Sequence, residues 1–311
     1  MKYIVGIDLG GTKINVGVAD ESGRLLYNEI VKTEAFLGTA HIVNKILETV
    51  DKVIDKANVK RKDIKNIVVG SPGIINSKEK IIENATLLPF SNFDIGKPIS
   101  ERYQRPVYLY NDAYLAMLAE YVFGALNKVQ TGIFITLSTG IGSCAIINGK
   151  VCEKPIELGH TIVKVNGKKC NCGSRGCLET IASGSAMGKI AENKVRLLKN
   201  SALKKYGKIS AKEIIDEAKK GDEVSMSIIS EAVTYLGVSI SNLITIINPE
   251  VIVIGGGMSQ GWFWEKVKEA VFHNEFVNQF YSETQIVPSS IGVNMGVLGA
   301  IAKGMQIDSE K

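Results

Sequence analysis

Apolar and polar positions alternate from the first residues of the chain. Residues 2–19, KYIVGIDLGGTKINVGVA, alternate on either side of a glycine turn and predict two strands of a hairpin. The turn Asp20-Glu21-Ser22-Gly23 leads to a third predicted strand near residues 24–31. The rhythm then changes: Ile42, Val43, Ile46, Leu47, Val50, Val53 and Ile54 recur at helical spacing and predict an amphipathic helix over residues 39–57. Short apolar runs predict strands over residues 66–70 and 107–110, the second running directly into a helix over residues 113–122. Residues 132–147 repeat the opening pattern as a second hairpin, with Ser138-Thr139-Gly140-Ile141-Gly142 as its turn. Beyond residue 179 the pattern is largely helical. A long helix over residues 224–247 ends at Asn248-Pro249, a buried strand over residues 251–254 runs into Gly255-Gly256-Gly257-Met258, and a last helix starts at Gly296.

The two hairpins echo one another. Ile7-Asp8-Leu9-Gly10-Gly11-Thr12 and Ile135-Thr136-Leu137-Ser138-Thr139-Gly140 occupy matching places, and each opens an α/β half. At 311 residues the chain is long enough for two substantial cores. With 45% hydrophobic and 22% charged residues the composition is that of a globular protein, which sets aside disordered and fibrous classes. A net charge of +5 suits an anionic ligand without requiring nucleic acid. The lysines between Lys189 and Lys220 are interleaved with Glu192, Glu213, Asp216 and Glu217, the pattern of a solvated helical surface. No apolar run of membrane-spanning length and no signal-peptide pattern is apparent, so a cytoplasmic protein without a membrane partner is expected.

The densest chemistry lies between Glu157 and Glu179. Cys170, Cys172 and Cys177 fall close together, with His160 upstream. One imidazole and three thiolates fill a tetrahedral zinc shell and leave no open position, which marks a structural site. Gly167, Gly173 and Gly176 allow the chain to fold tightly around an ion. Buried thiols or a disulfide are the alternative, disfavoured by the histidine and by an unsignalled cytosolic chain. Zinc on one ring nitrogen fixes the histidine tautomer and aims the other as an N–H donor. Glu157 and Glu179 beside such a donor form a polar cup suited to a polyhydroxylated ligand, although each alone reads equally as a solvated loop charge. The Gly10-Gly11-Thr12-Lys13 turn exposes backbone N–H groups that could cradle phosphate, without the spacing of a P-loop. Asp112, at a strand end and helix start, reads by itself as an ordinary N-cap. Cys144 and Cys152 lie outside the zinc spacing and read as core thiols.

The spacing E-x-G-H followed by C-x-C-G-x-x-G-C-x-E resembles the ROK family of sugar kinases and sugar-responsive repressors, over nearly the whole chain. The resemblance implies a two-domain α/β fold, ribonuclease H-like as in actin-like ATPases, with an interdomain cleft and a zinc loop. It places one domain at residues 1–112 plus 297–311 and the other at 113–296. It implies an ATP-dependent kinase of a hexose, glucose favoured, acting at the 6-hydroxyl with Asp112 as general base. Gly73, Asn84, Asn111, Asp112, Glu157, His160 and Glu179 would hold the sugar. His160, Cys170, Cys172 and Cys177 would hold Zn2+. Asp8 would orient Mg2+ through water, and ATP would lie against Gly10, Gly11, Thr12, Lys13, Thr139, Gly140, Gly255, Gly256 and Gly257. The sequence departs from the family pattern at Tyr114, at Ser138 and in lacking a tryptophan after the Asn84 segment. Kinases of N-acetylmannosamine, N-acetylglucosamine, fructose or allose share most of these residues. The repressors carry a helix-turn-helix segment ahead of the first hairpin, whereas this sequence enters its first strand at Lys2, so a kinase is expected over a repressor. A zinc-ribbon nucleic-acid module would want more than Lys168, Lys169 and Arg175 near the cysteines. The expected assembly is a homo-oligomer, dimer or tetramer, with hexose and ATP as partners and no nucleic acid.

Overall fold

Two sheets of identical topology organise the chain in the computed structural model, which describes residues 2–85, 87–154, 156–197 and 200–307. Strands β1 (Tyr3–Leu9), β2 (Lys13–Asp20), β3 (Leu25–Lys32) and β4 (Ile64–Ser71) belong to the first. Strands β5 (Ile74–Asn76), β6 (Ile81–Asn84) and β7 (Ser91–Asp94) form a small antiparallel sheet of their own, before β8 (Val107–Asn111) closes the first sheet in the order β3-β2-β1-β4-β8. The second sheet contains β9 (Gly132–Leu137), β10 (Ile141–Ile147), β11 (Lys150–Val151), β12 (Val251–Gly255) and β13 (Gln285–Pro288), in the order β11-β10-β9-β12-β13. In each sheet the three hairpin strands pair antiparallel and the remaining two join in parallel. The echo between the two hairpins therefore extends to whole sheets, and the turns after β1 and β9 occupy corresponding places.

Both faces of β1 are covered, and the period of two sorts its side chains. Val5, Ile7 and Leu9 join the core under the Thr39–Lys56 helix, which supplies Ile42, Ile46, Val50 and Val53. Ile4 joins Val297 and Ile301 of the Met295–Gln306 helix on the opposite face. Gly6 lies on that second face, against Val297 and Ile301, and parity sends Asp8 there as well.

The chain separates into two compact units, Met1–Asn127 with Ile291–Lys311, and Lys128–Ser290. The expected boundaries at 112 and 296 differ from this by the Asp112–Phe123 helix and the residues just before the last helix. The Asp112–Phe123 helix packs on the Met295–Gln306 helix so closely that a Cβ on Gly299 would lie 1.9 Å from the Leu115 carbonyl oxygen. Such contact holds it in the first unit. The second core gathers Ile133, Ile135 and Leu137 of β9 with Ile228, Ala232, Leu236, Ile240 and Ile244 of the Glu223–Ile247 helix. That helix is long and apolar enough to cross a membrane by length and composition, contrary to the sequence expectation that no such run exists. Its buried stripe against the second core accounts for much of that apolar character.

Candidate active site

In the first unit, two carboxylates stand near the beginning of a helix. A Cβ on Gly296 would fall 2.3 Å from the Asp8 Cγ, so only glycine allows the Met295–Gln306 helix to start against that side chain. Burial pushes the Asp8 carboxyl up to about 7, and the Asp112 charge pushes the same way. The two acids share one neighbourhood, a donor set of hard oxygens suited to a divalent cation such as magnesium.

The N-cap of the Asp112–Phe123 helix is Asn111, not Asp112. Its Oδ1 accepts from the Ala113 N–H at 2.8 Å and the Tyr114 N–H at 3.3 Å, while Asp112 Oδ1 accepts from its neighbour Ala113 at 2.9 Å. Asn111 Nδ2 donates to the Gly73 carbonyl at 3.3 Å. Gly73 in turn has φ +105°, and a Cβ there would lie 2.2 Å from the Asn84 carbonyl oxygen. Gly73, Asn84, Asn111 and Asp112 are thus linked in series, with Gly73 and Asn84 exposed. Both polar groups of Asn111 are engaged with protein, so its role in the structure is to fix the placement of Asp112 and of the Gly73 turn. In the turn after β1, the Gly10 N–H donates to the Lys13 carbonyl at 2.9 Å. Thr33 accounts for two of the turn's carbonyls: its N–H donates to the Thr12 oxygen at 3.0 Å and its Oγ1 to the Gly10 oxygen at 2.6 Å. The N–H groups of Gly11 and Thr12 find no acceptor among the described residues, and the Thr12 and Lys13 side chains are exposed. Such a turn offers donors to an anion.

In the second unit the zinc-like cluster assembles as its spacing predicts. Ligand atoms of His160, Cys170, Cys172 and Cys177 all lie within 4.8 Å of one another. His160 Nδ1 is 3.6 Å from Cys170 Sγ, and Cys172 Sγ is 3.6 Å from Cys177 Sγ. Tetrahedral zinc with Zn–S of about 2.3 Å and Zn–N of about 2.0–2.1 Å requires ligand separations of roughly 3.6–3.8 Å, so the four residues fit that ion. Gly173 and Gly176 adopt positive φ, and the bridges Ile162–Cys177 and Lys169–Arg175 close the loop. Burial pushes the Cys177 thiol up to about 12, and a dication would reverse that by stabilising the thiolate. Because Nδ1 faces the thiols, Nε2 of His160 is left for another partner. Of the two thiols outside the cluster, Cys144 is buried as expected but Cys152 is only half-buried.

Glu157 and Glu179 flank His160. Partial loss of water raises the Glu157 pKa, with the His160 charge opposing and the Glu179 charge adding to the rise. Glu179 Oε2 accepts from the Ile141 N–H at 3.0 Å, a contact that ties it to the turn after β9. Within that turn the Thr139 and Gly140 N–H groups find no acceptor among the described residues, as in its counterpart after β1. Gly256, with φ +90°, packs on the end of β9, where a Cβ would lie 2.3 Å from the Leu137 oxygen, and so brings the 255–257 loop beside the same turn. Thr33, Gly296 and Ile141 were not singled out from sequence. Thr33 has only its neighbourhood after β3 as a signal, and Ile141 acts through its backbone.

A duplicated five-stranded α/β unit with glycine turns, paired acids in one unit and a His-Cys cluster in the other define the class: a sugar kinase fold of the actin-like ATPase superfamily. The ROK family model matches residues 4–305, and the chain belongs to the ROK family. It is 33% identical to a glucokinase of Halalkalibacterium halodurans, over 83% of this chain and 81% of that protein. It is 29% identical to the xylose repressor of Caldicellulosiruptor bescii, over 96% of this chain and 77% of that protein. Its fold matches the ROK family glucokinase of Streptomyces griseus in complex with glucose and AMPPNP, at a TM-score of 0.80 and 28% identity, covering 98% of this chain and 99% of that one.

Proposed function

We propose that the protein transfers the terminal phosphoryl group of ATP to the 6-hydroxyl of a hexose, with glucose preferred. It is an ATP-dependent sugar kinase. The observation that carries the sugar side is His160, its Nδ1 turned to three cysteines and its flanks occupied by Glu157 and Glu179. A closed zinc shell there would be structural and would hold the imidazole rigid, so that Nε2 and two carboxylates recognise hydroxyl groups. The glucokinase relatives and the glucose complex of the Streptomyces griseus enzyme support glucose as the sugar.

Phosphoryl transfer is chiefly a problem of positioning and charge. Asp112, placed by Asn111 at the start of its helix, accepts the proton of the attacking hydroxyl. Asn84 and the Gly73 turn hold the sugar beside it. The exposed N–H groups of the Gly10-Gly11-Thr12-Lys13 turn and of the Thr139-Gly140 turn bind phosphate oxygens, and the Gly255-Gly256-Gly257 loop takes the nucleoside end. Asp8 would hold magnesium through water, and the ion would supply screening of the phosphate charge. Unpaired cysteines throughout suit a cytoplasmic setting. The test is a coupled ADP-release assay across a hexose panel, with the phosphorylated position read by NMR. Glucose 6-phosphate is the expected product, and turnover confined to another sugar would reassign the substrate. A second reading, a sugar-responsive repressor, is favoured by the likeness to the xylose repressor. Specific DNA retardation released by sugar, without ADP release, would establish it instead.

A further inference from the structure

Ile141 is the residue at which the zinc loop meets the turn after β9. Its N–H donates to Glu179 Oε2 at 3.0 Å. Its carbonyl faces Gly159, immediately before His160, where a Cβ would lie only 2.3 Å from the oxygen. Gly140 faces the same carboxylate, and a Cβ there would fall 2.8 Å from Glu179 Oε2. The far side of the turn is braced as well. The Gly184 N–H donates to the Ser138 oxygen at 2.8 Å, and Ser185 donates to the Thr139 oxygen from its N–H at 3.2 Å and its Oγ at 2.7 Å. With the carbonyls of Ser138 and Thr139 so engaged, the N–H groups of Thr139 and Gly140 are the turn's unsatisfied donors among the described residues.

We propose that Glu179 couples the two substrates: one carboxylate oxygen latches the Ile141 N–H and sets the phosphate-binding turn, while the other takes a sugar hydroxyl. The inference rests on the kinase reading above and adds a consequence to it. A carboxylate has acceptor capacity for both partners at once. A sugar hydroxyl on one oxygen restricts the carboxylate's rotation, which holds the latch and the turn in the arrangement that receives phosphate. By linkage the effect runs both ways, nucleotide tightening sugar as much as sugar tightens nucleotide. Cys177 lies two residues before Glu179, and its carbonyl accepts from the Thr180 N–H at 2.9 Å, so the metal-loop backbone fixes the base from which the carboxylate reaches.

The experiment is calorimetric titration of glucose with and without saturating magnesium-AMPPNP, and of AMPPNP with and without glucose. In the wild type each ligand should tighten the other by the same factor, about 5- to 150-fold. Glu179→Ala should bring that factor to one and weaken AMPPNP binding in the absence of sugar. Glu157→Gln should weaken glucose but keep the factor. Should Glu179→Ala lose its zinc or its fold, Glu179→Gln decides: its amide oxygen still accepts from Ile141, so glucose weakens while the coupling is retained. A wild type that binds both ligands independently, a Glu179→Ala protein that keeps the factor, or a Glu179→Gln protein that loses it overturns the proposal. A wild type that binds neither glucose nor AMPPNP overturns the kinase reading itself, and the coupling with it.

Discussion

Asn111 and Gly73, 38 residues apart, are joined by the Asn111 amide, which donates to the Gly73 carbonyl at 3.3 Å while its oxygen caps the helix that begins at Asp112. One side chain therefore sets both the helix start and the adjoining glycine turn. Asn111→Ala should lower stability by roughly 0.5–2 kcal/mol, the usual loss of an N-cap. Asn111→Asp should recover the cap but not the donation to Gly73. Urea unfolding of the two variants measures this, and equal losses would mean that the cap is not the stabilising part.

Asp112 stands at its own helix start, with its charge felt by Asp8. As general base it is tested by Asp112→Asn, which keeps the shape and removes the proton acceptor. We expect kcat to fall at least about 10²-fold with glucose affinity largely preserved. Near-native turnover by the variant would take Asp112 out of the mechanism.

How much of this was legible in the sequence follows the range of each interaction. The hairpins of β1–β2 and β9–β10 were readable because alternation around a glycine turn is local, and the Thr39–Lys56 helix because its apolar stripe is. The His-Cys cluster was readable because metal geometry fixes spacing. The β5–β7 sheet was missed because its three- and four-residue strands are too short to establish a period. Asp112 reads from sequence as the cap although the adjacent Asn111 performs it, since the sequence places two capable residues side by side. The latch from Ile141 to Glu179 uses a backbone N–H, to which no side-chain pattern corresponds. The sequence expectation and the compact units differ over the Asp112–Phe123 helix because no linker marks a division, and the close approach at Gly299 is a packing contact that no sequence pattern announces.

The half-buried Asp8, whose carboxyl is poorly solvated, gives a pH signature. Its folded pKa is raised from 3.8 to about 7, so the proton is held more tightly in the folded state. The resulting stability is fully present below about pH 4 and is lost as pH rises through about 7. Without divalent cations, Asp8→Asn should be more stable than the wild type at pH 8, by an amount on the order of a few kcal/mol. The difference should close as pH falls toward 4. Urea midpoints of both proteins at pH 4, 6 and 8 provide the check, and a difference that grows toward low pH would contradict a carboxyl whose pKa is raised.

The cysteine cluster should carry about one zinc per chain by metal analysis. Cys172→Ser should lose the ion and weaken glucose binding, because His160 Nδ1 would no longer be anchored beside Cys170. Native glucose affinity in zinc-free protein would separate the metal from the sugar site.

Glu157 and Glu179 flank one imidazole, yet their surroundings differ. Glu179 has an oxygen committed to the Ile141 N–H, while the Glu157 carboxyl faces solvent with its pKa raised. A site that hydrogen-bonds particular hydroxyls leaves polar groups unpaired when one hydroxyl is missing or inverted. The cost is roughly 1–3 kcal/mol per group, or about 5- to 150-fold in affinity. The wild type should therefore discriminate among hexose epimers and bind deoxy analogues poorly. Glu157→Gln keeps one acceptor and turns the other into a donor, so it should raise KM for glucose by a factor in that range. It should leave KM for ATP nearly unmoved, because among the described residues no hydrogen bond joins Glu157 to the Thr139-Gly140 turn as Ile141 joins Glu179 to it. Initial rates with both substrates varied decide the matter. An effect on ATP without one on glucose would move the zinc loop from the sugar to the nucleotide.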